Sequence, residues 1–78
     1  MREKTMKLVI TFHTTTEAMA MERLCQETGT PGRLIPVPRE ISAGCGMAWC
    51  VPVEQRPALE KLAAEHTVCT DGWYELLV

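Results

Sequence analysis

GRLIPVPREISAGCGMAWCV, residues 32–51, decides the fold. Two apolar runs, 32–37 and 46–51, read as strands joined by the loop 38–45. Pro36 cannot donate to a sheet ladder, so the first of the two belongs at a sheet edge or ends there. Working outward, residues 7–12, KLVITF, form an earlier strand. It is apolar on both faces and therefore suits the middle of a sheet. Between these strands lies HTTTEAMAMERLCQETG. Thr14 and Glu17 have the spacing of a capping box, and Ala18, Met21, Leu24 and Cys25 recur at helical spacing. Gly29 supplies a stop. On the far side, residues 54–66 predict a second helix, with Pro57 in its first turn and a buried stripe of Leu59, Leu62, Ala63 and His66. Residues 70–72 form a turn, and WYELLV closes the chain as a strand.

The order is strand, helix, strand, strand, helix, strand. It packs most simply as an α+β, ferredoxin-like βαββαβ domain spanning residues 1–78, a four-stranded antiparallel sheet with both helices on one face. Right-handed crossovers put the first and third strands in the centre. The other face is expected to stay open, with Val9, Ala48 and Cys50 on it as a mildly apolar surface suited to a homodimer.

Seventy-eight residues, 46% hydrophobic and 23% charged, suit one small core under a soluble surface. A net charge of -2 leaves no basic footprint for nucleic acid, and the aromatics are not interleaved with basic residues. No segment reaches the ~20 apolar residues of a membrane span, and the first apolar run is too short for a secretion signal. A cytoplasmic location is expected, where Cys25, Cys45, Cys50 and Cys69 would be free thiols. No cofactor is implied. The cysteines and histidines match no zinc spacing. A Cys45–Cys50 disulfide fails on distance, since five strand residues span about 16 Å and the bond needs Cα atoms within about 7 Å.

Cys45 is the candidate for chemistry. Gly44 and Gly46 flank it, relieve crowding at the sulfur and permit unusual backbone angles. Functional residues favour such loops, but free cysteine also favours burial, and alternation with Met47, Trp49 and Val51 would turn Cys45 inward. Both readings stay open. The expected topology places the loop where both helices finish, so the helix dipoles would disfavour a thiolate. Arg39, Arg33, the amides freed by Gly44 and Gly46, and a hydrogen bond from Ser42 are the groups that could lower the Cys45 pKa. His13 is expected at the opposite end of the first strand, too far to act as its base, whereas His66 ends the second helix on the loop side. Cys25 reads as core packing, Cys50 as a small residue on the open face and Cys69 as part of a turn. The absence of a phosphate loop, a Ser-His-Asp set or paired carboxylates argues against a stand-alone enzyme.

The stretch RLIPVPREISAGCGMAW and the closing GWYELLV resemble the selenium/sulfur carrier protein-like family of small domains of unknown function. The resemblance covers nearly the whole chain. Its most specific part is Pro38, Arg39, Ile41 and Ser42 followed by Cys45 and Gly46; the rhythm of Thr15, Ala18, Glu22 and Leu24 is weaker. It implies a ferredoxin-like fold and a cysteine that carries sulfur or selenium, which by position is Cys45. It also implies protein partners: a donor such as a cysteine desulfurase, and an acceptor. Established carriers with a Cys-Pro motif differ, because Gln26, Gly46, Val51 and Thr70 follow the four cysteines here. The rival expectation is a non-catalytic interaction or small-ligand module in which Cys45 is structural.

Overall fold

The computed structural model describes residues 5–39, 41 and 46–77. Within them the chain forms β1 (Met6–Thr11), α1 (Thr15–Thr28), β2 (Arg33–Pro36), β3 (Met47–Pro52), a 3-10 turn (Val53–Gln55), α2 (Arg56–His66) and β4 (Gly72–Leu77). The sheet order is β2-β3-β1-β4, with every neighbouring pair antiparallel. This is the ferredoxin-like α+β arrangement, and β1 and β3 occupy its centre as expected.

The central position of β1 follows from its composition. Leu8, Val9 and Ile10 have no exposed surface, so both faces of the strand are covered. On the helix side Leu8 and Ile10 meet Val51 and Trp49 across the β1–β3 ladder, and Met21, Cys25 and Leu59 pack down on them. Each such side chain contributes roughly 1.5–3 kcal/mol of transfer free energy. Trp49 is the largest buried residue, and its indole explains a glycine. Gly32 has φ 144°, and a Cβ built there would lie 2.5 Å from Val51 Cγ1 and 2.6 Å from Trp49 Nε1. Any side chain at 32 would both strain the backbone and strike the core.

The second face is not open. Val9 and Ala48 are fully buried and Cys50 is 5% exposed. Ile41, from the β2–β3 connection, folds beneath the sheet against Val9 and Ala48, with Ile35, Val37 and Leu76 packed around it. The expected apolar surface is therefore consumed within the chain, and the homodimer argument built on those three residues loses its basis. The sequence pattern alone could not anticipate this, because a single isoleucine in a polar loop carries no periodicity.

Helix ends obey local chemistry. The Thr14 side chain accepts the Glu17 amide at 3.2 Å, while Glu17 Oε1 accepts the amides of Thr14 and His13. At the other end of α1, Gly29 turns left-handed at φ 74°, and its N–H and that of Thr30 both donate to the Cys25 carbonyl. α2 closes the same way, with Thr67 and Val68 donating to the Ala63 carbonyl. Here, however, the left-handed residue is Thr67 at φ 53°. Leu59 and Leu62 are buried as expected, and Ala63 is half-buried, but His66 is exposed. The chain turns at Thr67 and sends Val68 onto the core, so the last helical residue is left in solvent.

Two stability changes follow. A β-branched residue in the left-handed region costs roughly 1–2 kcal/mol, so Thr67→Gly should raise stability by about 1 kcal/mol in urea unfolding. Gly32→Ala should lower it by about 2 kcal/mol or more, because the added methyl enters the Trp49 and Val51 contact.

Candidate functional site

The register shows which residues share each end of the sheet. Thr11, the last residue of β1, pairs with Ala48 and with Gly72, and Pro36, the last of β2, pairs with Met47. The β2–β3 connection thus lies at the end where β1 finishes and α1 begins. α2 finishes there too. This corrects the expectation that both helices end beside the loop: one helix presents its positive N-terminus at this end and the other its negative C-terminus. It also corrects the position of His13, which follows β1 and belongs to the loop end of the sheet. His13 Nδ1 lies 3.6 Å from Asp71 Oδ1, and the Asp71 amide donates to the Thr11 carbonyl at 2.7 Å.

The connection is pinned at its neck and midpoint. The Val37 amide donates to the Gly46 carbonyl at 3.0 Å, continuing the hairpin by one bond, and the Ile41 amide donates to the Pro38 carbonyl at 3.0 Å. Between these anchors Arg39 is exposed and Ile41 is buried. Gly46 is exposed at φ 76°, and a Cβ there would meet nothing within 4 Å. The glycine therefore serves the backbone turn, in open space. Cys45, Ser42 and Gly44 lie outside the described residues, and so does the expectation that Cys45 turns inward.

Arg33 does not belong to this end. It opens β2 and pairs directly with Cys50. Three residues of strand, about 10 Å, separate it from the residue that precedes the loop. Lys7, on β1, pairs with Pro52 and so lies diagonally across from Cys50 on the same face. Lys7, Gly32, Arg33, Cys50, Val51 and Pro52 line a shallow cleft of about 270 Å³. The cleft was not foreseen. The alternation of Lys7 with Val9 indicated its face, but only the register brings it to Cys50.

Burial separates the described thiols. Cys25 is 1% exposed, and its pKa rises from an ordinary value near 9 to about 11, chiefly through desolvation. The indole N–H of Trp49 pulls the other way. That N–H has no conventional hydrogen-bond partner among the described residues, and sulfur is only a weak acceptor. Cys50 is also raised by burial, partly offset by Lys7 and then by Arg33. Cys69 is exposed in the segment before β4. Among the described residues, no group of three or more His, Cys, Asp or Glu side chains could hold a metal ion, and no helix is long and apolar enough to cross a membrane.

A cysteine-bearing ferredoxin-like domain is thus the class of protein that fold and thiols define. The family model described as "Putative Se/S carrier protein-like" matches residues 7–75, nearly the whole chain, and the protein belongs to that family. No curated protein and no solved structure matches it.

The buried thiols make alkali destabilising. As pH rises from about 9 to about 11, the unfolded chain releases the Cys25 proton while the folded chain retains it. Its stabilising contribution is full below the unfolded pKa and is lost through that window, with Cys50 acting in the same direction. Urea midpoints should fall between pH 9 and 11, and Cys25→Ala should flatten that slope.

Proposed function

We propose that the protein carries sulfur or selenium on Cys45, as a persulfide or selenylsulfide, between a donor such as a cysteine desulfurase and an acceptor protein. Membership of the Se/S carrier-like family supports the carrier role. The observation that carries the choice of thiol is burial: Cys25 and Cys50 are at most 5% exposed, with raised pKa values. A sulfur passed between proteins must be reached by a partner's cysteine, which those two thiols oppose. Cys69 is accessible, but it lies in the turn after α2, where the helix dipole is negative. Cys45 lies next to Gly46, whose surroundings are open, in a connection that holds the exposed Arg39.

In the loading step the Cys45 thiolate attacks the terminal sulfur of the donor's persulfide. A new S–S bond forms on Cys45, the donor's S–S bond breaks, and the donor leaves as a thiolate that takes up the proton lost by Cys45. Unloading reverses the roles. An acceptor nucleophile takes the terminal sulfur, and the Cys45 thiolate departs. Arg39 favours the anionic forms, as do the amides of Gly44 and Gly46, and Ser42 can donate to the sulfur. Arg33, about 10 Å down β2, has no part in this step. The partners are two proteins. A second copy of the chain is not required, since Val9, Ala48 and Cys50 are covered within one chain.

Incubation with a cysteine desulfurase and cysteine, followed by mass spectrometry of intact protein and peptides, tests the reading. Cys45 should gain about 32 Da for one sulfur atom, and Cys45→Ser should abolish the gain while Cys69→Ser leaves it. No gain at Cys45, under conditions that load a known carrier, would refute it. Native-state alkylation discriminates the rival binding module: a structural Cys45 reacts only after unfolding, whereas a carrier thiol reacts in the folded protein.

A further inference from the structure

The cleft at the far end of the sheet combines three features that the carrier reading does not use. First, among the described residues its charged lining is cationic. Lys7 and Arg33 reach it from β1 and β2, and no described carboxylate lines it. Second, neither cation has an ion-pair partner among the described residues. The ion pairs among the described residues join His13 with Asp71, Arg23 with Glu27, and Arg56 with Glu60 and Glu75. Among the described residues Lys7 donates to the Thr5 hydroxyl. In a chain of net charge -2, two unpaired cations in one concavity are a local feature of the fold rather than a reflection of composition. Third, Cys50, a residue only 5% exposed, lines this cleft, and its thiol has no hydrogen-bond partner among the described residues.

We propose that this cleft binds a small dianionic oxyanion of the size of sulfate or thiosulfate, held by Lys7 and Arg33 beside the Cys50 S–H. The two cations supply charge-assisted hydrogen bonds from β1 and β2, the strands on either side of β3, and the thiol offers a weak donor. A volume of about 270 Å³ falls below the range of nucleotide- or drug-sized ligands and leaves room for a few-atom anion with its residual water. The same cations make the cleft hostile to metal ions. Burial keeps Cys50 protonated, which suits an anion beside it: a thiolate would repel the ligand, whereas an S–H can point at it. The site is separate from Cys45 and goes beyond the carrier reading.

The test is a titration of the intact protein with sodium thiosulfate, sodium sulfate and sodium phosphate, at ionic strength held constant with sodium chloride, followed by amide chemical shifts. Saturable shifts confined to residues around 7, 32–33 and 50–52 are expected. The double variant Lys7→Gln, Arg33→Gln, with its fold checked by the unchanged remainder of the spectrum, should bind about tenfold more weakly or worse. Tighter binding of thiosulfate than of phosphate would assign a sulfur oxyanion. Equal binding would assign a general dianion site. Absence of saturable shifts, or identical shifts in the double variant, overturns the proposal. Cys45 takes no part in the measurement, so its outcome is independent of the carrier assay.

Discussion

The demand of β1 for cover on both faces is the constraint on which the rest of the structure depends. Leu8 and Ile10 on one side and Val9 on the other are fully buried, and no single layer of helices can achieve that. The helices satisfy one face with Met21, Cys25 and Leu59. The other is satisfied by Ile41, which the β2–β3 connection inserts under Val9 and Ala48. The segment that bears the candidate cysteine is therefore tied into the hydrophobic core at one point and open to solvent at others.

Each end of the sheet carries one helix N-terminus and one C-terminus, so the ends differ through their side chains. At the loop end α1 begins and α2 finishes, so opposite helix termini lie at the same end of the sheet. His13 and Asp71 lie there as a weak pair at 3.6 Å. At the other end of the second face Lys7 and Arg33 converge on Cys50 with no described carboxylate between them. On the helix face Arg56, paired within α2 to Glu60, ties that helix to β4 by pairing with Glu75 and lying over the Trp73 ring. Three cations near the sheet thus have two fates. One is spent on holding elements together, and two are left facing a cavity.

Much of the fold was legible in the residues. The capping box of Thr14 and Glu17, the stop at Gly29 and the alternation in KLVITF depend on neighbours a few positions apart, so local chemistry determines them. Pro36 marked an edge strand for the same reason, and β2 is one. The exposure of His66 is not written in its helical phase, because the chain turns left-handed at Thr67 and sends Val68, not His66, onto the core. The direction of α1 relative to the loop, and with it the place of His13, required a full trace of the strand directions.

The candidate site was legible only in part. The sequence by itself determined the order of elements, the helix ends, the central strand and the loop that carries Cys45 with Arg39 and Gly46. These follow from propensity, periodicity and turn chemistry, which act over a few residues. Only the tertiary structure decided that Arg33 belongs to Cys50 rather than to that loop, that Lys7 joins them, and that Ile41 closes the face expected to be open. Strand register and the burial of a lone side chain are set by contacts between residues far apart in the chain, and no local pattern encodes them.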